Sequence, residues 1–132
     1  MQVAWLAVLV AAIAKFLIGW AWYSPMAFGK QWQDLAKLSA ADVQAGLMPA
    51  LIAEAIGDLI MAYVLARFIF HYGVTDIVGG VRIGATAWLG FVATVLANQI
   101  FYERKPQQLV FINGGYLLVA LVVMGGILGP WH

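Results

Sequence analysis

The sequence predicts an all-α integral membrane protein: a bundle of four transmembrane helices, with a short amphipathic interfacial helix between the first and second. Composition is the first reason. Of 132 residues, 64% are hydrophobic and only 10% are charged, against about 25% charged in an ordinary soluble domain. Too few polar side chains remain to cover a water-facing surface, so the lipid bilayer is the expected surrounding. Segment length is the second reason. A bilayer core takes roughly 20 apolar residues per helix, and four segments reach that length: 3–23, 49–71, 77–102 and 108–130. They make one domain over 1–132, with no internal repeat. A net charge of +1 leaves no electrostatic footprint for nucleic acid. Zero cysteines exclude disulfides, thiolate metal sites and thiol redox chemistry.

The first segment, "MQVAWLAVLVAAIAKFLIGWAWY", is read as a retained span rather than a signal peptide. It lacks a basic start, its apolar run is too long, and no small-x-small cleavage site follows it. The polar stretch 30–47 comes next. Ser39 followed by Asp42 has the spacing of a helix-capping box, which predicts an interfacial helix leading to Pro49 at or near the start of the second span. The remaining connections are brief, "HYGVTD" (71–76) and "ERKPQ" (103–107). Trp5, Trp20, Trp22, Tyr23, Trp32, Tyr102 and Trp131 fall near span ends, where amphipathic rings favour the headgroup layer. Four spans place both ends of the chain on one side, here side A. Side B carries Lys30, Lys37, Arg104 and Lys105, and side A carries Arg67 and Arg82. The positive-inside rule then makes side B cytoplasmic and puts both termini outside.

Four ionisable residues lie within the spans: Lys15, Glu54, Asp58 and Arg82. At ~1.5 Å per residue, Lys15 is roughly 12 Å deep from side B, Glu54 roughly 8 Å and Asp58 roughly 14 Å. Glu54 and Asp58 share a helical face by their i, i+4 spacing. Arg82 enters from side A and reaches towards the midplane. The simplest expectation is two ion pairs, Lys15–Glu54 and Asp58–Arg82, with a formal sum of zero. Such a set serves either as a folding lock or as a polar path or ligand site, since intramembrane ionisable residues are rare and usually functional. Asn98 and Asn113 lie at matching depths in the third and fourth spans, which predicts an amide hydrogen bond between them.

Gly80 and Gly84, and Gly125 and Gly129, have the G-x-x-x-G spacing that lets helix backbones touch. Either packing within the bundle or a homo-oligomer contact would use these faces. His71 and His132 lack a supporting carboxylate or H-x-x-x-H spacing, so no metal site or cofactor is expected. No phosphate loop, nucleophile elbow or metalloprotease motif is present, and no enzyme is expected.

The end of the first span, "GWAWYSPMAFGKQW" (19–32), resembles the opening signature of a family of small bacterial membrane proteins, domain of unknown function 1761. "WLGFVATVLANQIFYERKP" (88–106) resembles that family's third span and charged exit, and "FINGGYLLVALVVMGGILGPW" (111–131) its terminal span. The resemblance implies a four-span α-helical protein of the bacterial inner membrane and implies no activity. Physically, Pro25 stops the helix near Tyr23, Gly29 lets the chain turn, and Trp22, Tyr23 and Trp32 seat the turn at the interface. This corner is read as structural, with a gate or substrate-contact loop as the alternative. The functional expectation is a small oligomeric channel or transporter for an ion or small solute, with a polar path through Lys15, Glu54, Asp58, Arg82, Asn98 and Asn113. The rival is a non-transporting structural or partner-binding membrane protein whose buried ion pairs lock the fold.

Overall fold

The computed structural model describes residues 4–131. Position 3, where the first span was expected to begin, and His132 lie outside the described residues. Helices are the regular structure of the described residues, which contain no strand. The spans are α1 (Trp5–Trp22), α4 (Leu47–His71), a third span over Ile77–Phe101 and α7 (Gln107–Leu128). All four are long and apolar enough to cross a membrane, making this a multi-pass membrane protein.

The polar connection folds as two short helices rather than one, α2 (Gly29–Ala36) and α3 (Ala40–Ala45). The break lies at Lys37, whose φ of 59° is left-handed and ends α2. Ser39 then starts α3 with the expected box: its hydroxyl accepts from the Asp42 amide at 3.0 Å, and its amide donates to the Asp42 carboxylate at 3.0 Å. The bond from the Ser39 amide, and after it the Ser39 hydroxyl, holds the Asp42 carboxyl below its ordinary value. Pro49 sits in the first turn of α4, where its missing N–H leaves no helical bond unmade.

The third span is not one uniform helix. It runs as α5 (Ile77–Ala87), a π-helical stretch over Trp88–Ala93, and α6 (Thr94–Phe101). Widening the turn inserts about one residue of phase, so the side chains of α6 are turned by about 100° from where an unbroken α-helix would aim them.

The fourth span is the hub. α7 packs against α1, α4, α5 and α6 and buries Tyr116, Ala120, Leu121, Met124 and Leu128. Gly80 and Gly84 face Gly125 and Gly129 across the α5–α7 contact, so closely that a Cβ on Gly80 or Gly84 would enter the backbone of α7. These stripes pack against each other within the chain.

The apolar core gathers at the side-A half, from Ala7, Val8 and Ala11 of α1, Ala62, Leu65 and Ile69 of α4, and Met124 and Leu128 of α7. The first half of α4 is open, with Ala50, Ala53 and Gly57 uncovered. Two apolar grooves open outwards. One of about 330 Å³ lies between α4 and the π-helical stretch, along Val64, Phe68 and Phe91. The other, of about 500 Å³, lies between α6 and α7, along Leu96, Phe101 and Phe111. Neither is lined by a titratable side chain, so both suit acyl chains rather than chemistry.

Candidate functional site

The polar centre is built around Lys15. The small residues Ala11 and Ala12 bring α1 against its neighbours, and Lys15, one turn further on, is carried into the same contact with only 4% of its side chain exposed. Its ammonium has three N–H donors, and each has a partner: Glu54 Oε1 at 2.9 Å, Asp58 Oδ1 at 2.5 Å and the Tyr116 hydroxyl at 2.9 Å. The i, i+4 spacing of the carboxylates places both on the face of α4 that meets α1.

Tyr116 closes the cluster from α7. Its hydroxyl accepts from Lys15 and donates to Glu54 Oε1 at 2.6 Å, and the ammonium stands 4.8 Å from its ring centre. Gly19 makes room for it: a Cβ there would come within 2.9 Å of the Tyr116 hydroxyl. The carboxylates differ in access. The Asp58 side chain is 2% exposed, and its Oδ2 is a buried oxygen without a hydrogen-bond partner among the described residues. Glu54 keeps 40% of its side chain uncovered by the chain, facing outwards on the open part of α4.

The Asp58–Arg82 pair expected from depth does not form. Lys15 holds both carboxylates, and Arg82 is exposed, without an ion pair among the described residues. The reason is angular. Gly80 and Gly84 seat α5 on α7, and Arg82 stands midway between them, about 200° round the helix at 3.6 residues per turn, hence pointing away from the bundle. The cluster is consequently not neutral: two carboxylates face one ammonium. The Asn98–Asn113 bond is absent as well. Asn98 is exposed on α6, beyond the π-helical change of phase, whereas Asn113 accepts from the Tyr23 hydroxyl at 2.7 Å.

That bond links the corner to the cluster. Tyr23 lies edge-on to Tyr116 at 5.5 Å and to Trp32 at 5.6 Å, and Trp22 donates to the Ile112 carbonyl at 2.9 Å. The chain turns between α1 and α2 through bonds from Phe28 to the Trp22 carbonyl and from Gly29 to the Ser24 carbonyl, each 2.9 Å. Pro25 lies within this turn, and a Cβ on Gly29 would strike the Tyr23 and Ser24 carbonyls. His71 stands exposed at the end of α4 against Phe70. Tyr116 was not singled out from sequence. Its signal was available in register: it shares a face with Asn113 and lies at the depth of Lys15.

With this geometry in view, comparison with known families gives one result. Residues 6–129 match the family described as "Protein of unknown function (DUF1761)". The chain belongs to that family. No curated protein and no solved structure matches it. In this DUF1761 chain the match runs from the start of α1 through α7, so the cluster and the corner both lie inside it.

Proposed function

We propose that this chain is a small channel or transporter that moves a cation across a membrane through the Lys15–Glu54–Asp58–Tyr116 cluster. One observation carries the reading: a carboxylate is left uncompensated inside a membrane span, next to a single lysine. Unbalanced charge in hydrocarbon is costly and is characteristic of ion and proton paths. Glu54 provides the access, being the half-covered member, and Asp58 the enclosed end. Four spans enclose too little space for a continuous path, so the working unit is a homo-oligomer. The uncovered first half of α4 is the face on which a second copy completes the walls. The excess of Lys and Arg on side B supports that side as cytoplasmic.

The test is flux in vesicles reconstituted with the full chain. Wild type is expected to pass at least one small cation, with Glu54→Gln reducing the rate at least tenfold. Equal rates in protein-containing and empty vesicles across a broad cation panel would contradict the proposal. A second reading has its own support: Lys15 ties α1, α4 and α7 together, as a folding lock in a structural or partner-binding protein would. Co-purification with one defined membrane protein, together with absence of flux, favours it.

A further inference from the structure

The surplus negative charge of the cluster has to be met by something, and the surrounding atoms restrict what that is. We infer that the cluster holds one proton, bound to Asp58 at Oδ2, and that the proton is the cation this site takes. The inference rests on the cluster being the site of the proposed transport and names its substrate. A metal ion is disfavoured by occupancy. Hard cations gather six or more oxygens, and the place between the carboxylates where one would sit is filled by the Lys15 ammonium, which touches Glu54 Oε1 and Asp58 Oδ1. A proton needs a single oxygen, and Asp58 Oδ2 is buried and unpartnered. Buried charge without a partner is relieved by neutralisation, and one proton brings the cluster to zero.

The groups that face Asp58 agree with that placement. From α1 comes Lys15, satisfied by three acceptors; from α7 comes Tyr116, whose hydroxyl hydrogen goes to Glu54; from α4 itself comes Glu54, one turn back. Glu54 is fixed as the anion of the pair, since it accepts from both Lys15 and Tyr116, while Asp58 accepts from Lys15 alone. Exchange then runs through Glu54. The O–H bond at Asp58 breaks and its electron pair stays on Oδ2 as an O–H bond forms at Glu54; that second bond then breaks, its pair staying on the Glu54 carboxylate, and a water molecule reaching the uncovered side of Glu54 takes the proton. No oxidant or reductant enters.

Infrared spectroscopy of the full chain in detergent at neutral pH tests this, using protein labelled with 13C at either the aspartate or the glutamate side-chain carboxyl. One carbonyl band of a protonated carboxylic acid is expected per chain. It should shift with labelled aspartate, stay in place with labelled glutamate, and vanish in Asp58→Asn. The other aspartates, Asp34, Asp42 and Asp76, are exposed outside the spans or at a helix start. Absence of the band in wild type, or a band that moves only with labelled glutamate, overturns the assignment; the labelling needs no variant to fold. The two readings separate cleanly. A band without flux leaves the proton in place and removes transport, whereas flux of another cation without the band does the reverse.

Discussion

Lys15 is the residue on which the polar centre depends, because removing it strands two carboxylates at once. Lys15→Met is expected to cost about 3–5 kcal/mol, the range for breaking a buried pair from one side, measured by chemical unfolding in mixed micelles. Tyr116→Phe removes a hydrogen bond to a carboxylate and a partner of the ammonium, and should cost about 1.5–3 kcal/mol in the same assay. Arg82→Gln should not destabilise, because an exposed, unpaired arginine in a span contributes no pairing to the bundle and its charge is at best neutral there. A loss at Arg82 as large as that at Lys15 would mean that Arg82 does hold Asp58. The charged residues were legible in the sequence because they interrupt apolar runs. Their pairing was not, since depth is a one-dimensional coordinate and Arg82 differs from Lys15 in angle. Tyr116 escaped notice because a tyrosine in an apolar helix is not anomalous until its hydroxyl has a partner.

Among the elements, the α5–α7 contact is the closest. Gly84→Val would drive a branched side chain into the Leu121 carbonyl and should destabilise by about 3 kcal/mol, the upper range for overpacking. Gly57→Ala, with nothing within 4 Å of the new methyl group, should be neutral or stabilise by about 0.5–1 kcal/mol. Thermal unfolding of the two variants side by side checks the contrast. The α3 cap gives a pH dependence. The folded state holds the Asp42 carboxyl below its unfolded value, so its contribution is full above the unfolded value and is lost as pH falls through the folded one. Amide exchange in α3 should accelerate over that acidic window, and Asp42→Asn, which removes the titrating carboxyl, should abolish the change. The glycine spacing and the capping box were readable because each is a local pattern with a fixed geometry. The π-helical stretch was not: "WLGFVA" carries no proline, and its widened turn answers to packing, including the Trp88 bond to the Gly114 carbonyl at 2.9 Å.

At the scale of the whole molecule, length and composition were enough for four spans, because a bilayer imposes one thickness on every helix. They gave no view of which faces the spans cover. The main apolar cluster joins α1, α4 and α7 at side A and leaves the first half of α4 open, a tertiary outcome that no single segment announces. That open half exposes Glu54 and makes the cluster reachable, and it is why the charges are read as functional and not only as a lock. The most direct measurement is cation flux together with thermal unfolding for a triple neutral variant, Lys15→Met, Glu54→Gln, Asp58→Asn. Replacing a whole buried ion network by neutral groups is often tolerated or stabilising. The expected result is a folded protein, as stable as wild type or more so, with flux reduced to that of empty vesicles. Flux at the wild-type rate in the folded triple variant would contradict a path through this cluster.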